Sequence, residues 1–371
     1  DLVRSRGLGD VYKRQMYDNN TKTIKKSMSS EGITAMVSMK DISAACGVSI
    51  ATVSKALNDH KDIGKETKEH IRQVAKEMGY SPNSAAKALK TNCTRNLGVL
   101  FVDDANSGLK HDYFTYVLDS FKSTAEEKGY DITFINSNRS GGNKMSYLEH
   151  SRYRGFDGVM IACVDFYDPE VEELVRSDIP VVTIDHLFNN RCAIISDNVS
   201  GMRDLVQYVY SMGHRRIAYI HGASSAVTQN RLSSFYKTCE ELGIDVPAEY
   251  IGEAPYRDTN GAYLETKRLL GLKEIPTCIL YPDDFSCFGG INAINELGLK
   301  IPDDISIAGY DGLRIARHFE PKLTTIIQDT GRLGREAALK LISLIENPKS
   351  TITEQIVVPG VLFEGNSVKH L

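Results

Sequence analysis

Two groups of side chains in this 371-residue chain could do chemistry, and neither is catalytic in pattern. The first lies in SMKDISAACGVSIATVSKALN, residues 38–58, where Ser49, Ile50, Ala51, Thr52, Ser54, Lys55 and Asn58 cluster at a helix start. Hydroxyls, an amide, a cation and small apolar groups in one short segment suit the reading of duplex DNA. Ile50, Ala51 and Lys55 would face bases, with apolar contact to thymine methyls at the first two, and the remaining four would hold phosphates or bases. The second group follows apolar, strand-like runs: Asp165, Arg231, Asp283, Asp284 and Asp311, with the aromatic residues Phe114, Tyr281 and Phe285. Arginine and carboxylates bind hydroxyls in pairs, and aromatic faces stack on sugar rings. Loop-end aspartates also cap helices, which explains Asp165 and Asp283 equally well, and the aromatic residues fit an ordinary core. No G-x-S-x-G, P-loop, H-E-x-x-H or strand-borne G-x-G-x-x-G is present, and the nine His lack metal-ligand spacing. An enzyme is therefore not expected, and neither is a cofactor or a metal. Gly289-Gly290 sits in a helical stretch and reads as close packing rather than a phosphate cradle.

The first group needs two short helices at a fixed angle. Residues 40–46 have helical spacing, and Ser38 with Asp41 forms an S-x-x-D start. Gly47-Val48-Ser49 supplies the turn, the core plug and the next cap, and 50–57 turns Val53, Ala56 and Leu57 inward. That is a helix-turn-helix, whose second helix enters a major groove. A third helix over 65–78 buries Ile71, Val74, Ala75 and Met78 and stops at Gly79. Between residues 36 and 92, nine Lys/Arg face six Asp/Glu, whereas the whole chain carries −4. A basic head on an acidic body is the asymmetry of a DNA reader. The Ala-rich segment 84–90 is too short to be helical alone and reads as a linker that folds on its partner.

From residue 97 the pattern changes to continuous apolar runs (97–102, 132–135, 158–162, 180–184, 193–195, 216–220, 278–281, 305–310) separated by amphipathic stretches. Runs without polar alternation predict parallel sheets covered on both faces. Ligands of such folds sit beyond the carboxyl ends of the strands, where the second group falls. The seven cysteines, odd in number and without a C-x-x-C pair, read as free thiols of a reducing compartment. No run is long and apolar enough to span a membrane, so a cytoplasmic protein is expected. Residues 1–35 hold no signal-peptide core and are read as an extension, disordered or not native; their scattered Lys and Arg make a weak case for a DNA-contacting arm.

The run D-I-S-A-A-C-G-V-S-x-x-T-V-S-K-x-L-N, followed by G-Y-S-P-N-x-x-A-K-x-L, resembles the DNA-binding head of the LacI/GalR (lac/galactose repressor) family of transcription regulators. The resemblance covers roughly residues 36–365. It implies an all-α helix-turn-helix head (36–80), a hinge helix and linker (81–96) and a two-lobed α/β body (97–371) with parallel sheets, like periplasmic sugar-binding proteins of type I. Lobe 1 would comprise about 97–186 and 328–348, and lobe 2 about 187–327 and 352–365. By the same resemblance Asn83, Ala86 and Leu89 belong to the hinge helix, Leu89 wedging the minor groove at the dyad. Effector contacts would fall on His111 and Phe114, in H-D-Y-F where the family has Asn-Pro-Phe-Phe, and on Asp165. Further contacts would be Arg231, in R-L-S-S-F, then Tyr281, Asp284 and Phe285 in the Asp-Asp element, and Asp311 of G-Y-D. The implied partners are a pseudo-palindromic operator, a sugar or sugar derivative, and a second copy of the chain. No heptads follow residue 365, so a tetramer through a terminal coiled coil is not expected. The competing reading is a sugar-binding receptor or sugar-modifying enzyme on the same fold, against which stand the attached head and the missing catalytic motif. A phosphoprotein corepressor is a third option on which the sequence is silent.

Overall fold

The computed structural model describes residues 37–81, 93–102, 108–135, 145–318 and 320–371. Two compact units divide the chain at residue 92. In the first, α1 (Met39–Cys46), α2 (Ile50–Leu57) and α3 (Lys65–Glu77) enclose Ile42, Val53, Ala56, Ile71, Val74 and Ala75. Each Val or Ile so buried contributes about 1.5–3 kcal/mol, which is how so small a core holds three helices. Ser38 Oγ accepts the Asp41 N–H at 3.4 Å while the Asp41 carboxylate accepts the Ser38 N–H at 2.8 Å. Gly47 ends α1 with φ +64°, a left-handed conformation that costs a side chain energy, and Ser49 caps α2 through the Thr52 N–H at 3.1 Å. After α2 the Asp59 carboxylate pairs with Lys68 at 3.0 Å and Arg72 at 2.9 Å, tying the turn to α3.

The second unit begins on an anchor. The Asp157 carboxylate accepts the backbone N–H groups of Thr94 (2.9 Å) and Arg95 (2.8 Å) and the Cys93 thiol (3.1 Å). Then follow β1 (Asn96–Phe101), α4 (Asp112–Glu127), β2 (Asp131–Phe134), α5 (Tyr147–Arg154), β3 (Gly158–Ala162), α6 (Pro169–Arg176), β4 (Val181–Ile184) and β5 (Cys192–Ser196). The chain continues through α7 (Asn198–Ser211), β6 (Ile217–His221), α8 (Ala226–Glu241), β7 (Ile251–Glu253), α9 (Thr259–Leu270), β8 (Cys278–Leu280), α10 (Asp284–Glu296) and β9 (Ser306–Ala308). It closes with β10 (Thr325–Ile327), α11 (Thr330–Glu346), β11 (Gln355–Val358) and β12 (Val361–Phe363).

The strands form a parallel sheet in the order β11-β5-β4-β3-β1-β2, a second parallel sheet β7-β6-β8-β9, and an antiparallel pair β10-β12. Each large sheet has an apolar core on both faces, as the unbroken apolar runs require. One feature differs from the sequence reading. Residues 192–196 and 355–358, assigned there to lobe 2, pair in parallel with each other, Ala193 opposite Gln355 through Ser196 opposite Val358, and complete the first sheet. An apolar strand carries no mark of which sheet it joins, and here the partner is 160 residues away. The chain therefore crosses between lobes after β5, after β10 and between β11 and β12.

Helix α11 lies against α4 at Gly334, where a Cβ would penetrate the Val117 carbonyl oxygen and come 2.8 Å from the Phe121 nitrogen. Backbone cannot swing aside as a side chain can. Gly334→Ala should therefore destabilise the protein by about 1–3 kcal/mol, read as a lowered denaturant midpoint. Gly289 and Gly290 have the expected packing role, against the Thr259 backbone and the Tyr281 ring.

Candidate functional site

On the head, Ile50 is 49% exposed, and Ala51 and Lys55 also face solvent. Ser49 and Thr52 share a hydroxyl hydrogen bond of 2.9 Å at the helix start. The Asn58 amide donates to the Ser54 carbonyl at 2.8 Å, so this side chain closes α2. Lys55 pairs with Asp62 at 2.5 Å, both half-exposed, an open pair that phosphate could displace. Asn83, Ala86 and Leu89 lie outside the described residues.

The body holds a cavity of about 530 Å³ between its lobes, walled by both. Of the residues singled out from the sequence, His111, Phe114, Asp165, Arg231 and Asp311 line it; Tyr281, Asp284 and Phe285 do not. Tyr281 is fully buried, its hydroxyl 2.8 Å from Thr266 Oγ1. Asp284 turns into the protein, accepting the Leu313 N–H and the Thr325 hydroxyl, both at 2.6 Å. Phe285 packs edge-on to Phe288 and lies under the Arg257 guanidinium, 4.4 Å from its ring centre. The preceding Asp283 faces the cavity instead. It caps α10 through the Ser286 N–H at 2.8 Å and also accepts the Arg257 N–H at 2.8 Å. Asp165 likewise combines both readings: it lines the cavity and accepts the Tyr167 N–H at 2.9 Å.

Arg231 is 3% exposed and held on several sides. Its Nε donates to Asn198 Oδ1 (2.7 Å) and Nη1 to the Pro282 carbonyl (2.8 Å). The guanidinium lies 3.5 Å above the Tyr310 ring centre, with Nη2 3.9 Å from Asp311. Asp311 accepts from Gln328 Nε2 at 2.6 Å, and the Gln328 carbonyl oxygen accepts from Ser196 Oγ. The Ser196 N–H donates to Asp185 at 2.7 Å, and Tyr113 OH donates to the other Asp185 oxygen at 2.8 Å. Ser196, Asn198 and Gln328 flank two of the crossings between lobes, so one polar chain links the cavity floor to those crossings. Burial pushes the Asp311 carboxyl up to about 7; Arg231 opposes the rise and Asp283 adds to it. Burial also raises Asp185. Asp185 and Asp311 have φ of +56° and +101°, a strained backbone for residues with side chains.

Across the cleft, Arg257 of lobe 2 pairs with Asp112 at the start of α4 (2.9 Å). Toward the open side, the Phe166 and His186 rings stack with centres 4.2 Å apart and 6° between planes, with Tyr167 edge-on at 6.0 Å. Burial holds the His186 imidazole below its ordinary value. Asp185, His186, Arg257 and Gln328 were missed in the sequence. Asp185 directly follows a strand run, so the rule that found Asp165 could have found it.

Among the described residues no cluster of His, Cys, Asp or Glu could hold a metal, and no helix is long and apolar enough to cross a membrane. The model of bacterial regulatory proteins of the lacI family matches residues 38–83, and that of the periplasmic binding protein-like domain matches 206–368. The HTH-type transcriptional repressor PurR of Pectobacterium carotovorum subsp. carotovorum is 32% identical over 339 residues, 90% of this chain and 97% of its own length. The chain belongs to the lacI family. PurR of Histophilus somni is 31% identical over 340 residues, 91% of this chain and 100% of its own. Among solved structures, the lac repressor dimer bound to operator and the anti-inducer ONPF covers 90% of this chain and 100% of its own, at 24% identity and a TM-score of 0.77. The CelR–cellobiose complex covers 89% and 99%, at 21% identity and a TM-score of 0.65. Both share the fold. As a lacI-family member the chain is a DNA-binding transcriptional repressor with a ligand-binding domain, and the relatives so named are repressors rather than enzymes.

Proposed function

We propose that the protein is a cytoplasmic homodimer whose grip on a pseudo-palindromic operator is set by a neutral sugar or sugar derivative held between the lobes. The charge balance of the cavity carries this reading. Among the described residues, Asp165, Asp185, Asp283 and Asp311 line it beside two arginines, and Arg231 and Arg257 are already paired. An anion would meet the carboxylates of Asp165 and Asp283. Sugar hydroxyls instead donate to carboxylates and accept from the carboxyls of Asp185 and Asp311 when burial keeps these protonated, and buried partners reject an analogue lacking those hydroxyls. Phe114 and Tyr256 add faces for a ring. A thermal-shift screen of the full chain should show stabilisation by neutral sugars and not by sugar acids or sugar phosphates, since a ligand of the folded state stabilises by mass action. The name of the relatives makes a purine the second candidate. A purine base that stabilises where every sugar fails would replace the sugar in this reading.

Control follows from linkage: the effector must favour one lobe arrangement, and that arrangement must favour or disfavour the hinge helices on DNA. In the hinge, Leu89 would be pushed between base pairs. Leu89→Gly should weaken operator binding roughly tenfold or more and remove the bend, seen by gel shift and by end-to-end fluorescence transfer. A variant that bends the operator as the unmodified protein does would eliminate the wedge.

A further inference from the structure

The cavity is not uniform along its length. At one end Tyr113 and Arg231 are buried and bound into the polar chain, with the buried Asp283 capping α10; at the other Tyr167 is 77% exposed. The open end is also where the aromatic rings gather, Phe166 stacked on His186 with Phe188 tilted against His186 at 4.6 Å. All four come from the two loops behind β3 and β4. Their backbone is fixed close by: the Tyr167 N–H is held by Asp165, and Asp168 caps α6 through the Glu170 N–H at 2.8 Å. One exposed aromatic ring is ordinary by itself, but Tyr167 adjoins Phe166 and His186 in the lining of the ligand cavity, and such a contiguous apolar patch suits an apolar face of the ligand. Pyranose rings present such a face, their C–H groups carrying partial positive charge toward the negative face of an aromatic ring.

We propose that the effector carries at least two sugar rings, the first in the polar closed end and the second stacked on the exposed face of Tyr167, which stands edge-on to the Phe166–His186 stack. This rests on the sugar reading above and sharpens it to a disaccharide or longer saccharide. Binding to the full-length protein should be measured by titration calorimetry with monosaccharides (glucose, galactose, mannose, xylose) and with disaccharides built from them. The expected result is a disaccharide that binds about tenfold or more tightly than either component ring, and a Tyr167→Ala variant in which that advantage falls to about threefold or less. Because Tyr167 is exposed, the variant should melt as the unmodified protein does. A monosaccharide that binds as tightly as any disaccharide, or a disaccharide advantage undiminished in Tyr167→Ala, would overturn the second subsite while leaving a sugar effector in place. Binding of no saccharide at all would remove both.

Discussion

Arg231→Ala should cost about 3–5 kcal/mol of folding stability and abolish the response to effector, because it removes the cation around which the cavity floor is assembled. Four groups lose a contact at once: the Asn198 amide oxygen, the Pro282 carbonyl, the Tyr310 ring face and the Asp311 carboxylate, which keeps Gln328. Its effect on Asp311 has a definite sign. That carboxyl sits at about 7 when folded against an ordinary 3.8, with Arg231 the charge holding it down. Between those values the unfolded chain gives up the proton while the folded one keeps it, so this group makes stability fall as pH rises from about 4 to about 7. Without Arg231 the folded value climbs, the window widens upward, and at neutral pH the cavity presents an acid where the hydroxyl of the proposed sugar would need an acceptor. Denaturant melts at pH 5 and 8, with and without the sugar found by screening, measure both effects. An Arg231→Ala protein that melts normally and still responds would refute the arrangement.

Asp284→Ala should be destabilising without being blind to ligand. The change strands the Leu313 N–H and the Thr325 hydroxyl, each buried, for a loss of about 2–4 kcal/mol, yet no atom of the cavity wall is touched. The fraction that remains folded should bind effector with unchanged affinity in calorimetry. Loss of binding by a variant that melts like the unmodified protein would return Asp284 to the site.

That pair of aspartates also marks where sequence reasoning reached its limit. The D-D step at a helix start announces a cap and a functional loop, but a one-residue step along a helix turns the side chain by about 100°. The residue at the cap, Asp283, faces the cleft, and the next faces Leu313. Helix boundaries, the capping of α1 and α2 and the parallel sheets were legible because they depend on local spacing and apolar periodicity. The placement of β5 and β11 was not, since it depends on pairing between segments 160 residues apart. The Asp112–Arg257 pair was hidden for the same reason: neither residue follows a strand run, and only folding brings two loops from different lobes within 2.9 Å.

Strand β3 is buried along its whole length, and its five residues make a rod of roughly 17 Å. Asp157 at one tip grips the segment that starts at Cys93; Cys163 and Asp165 at the other tip form cavity wall. A central strand paired on both sides moves with its sheet rather than bending alone. A tilt that a bound effector gave to that wall would act on Asp157, and so on the start of the second unit, through the backbone of β3 itself.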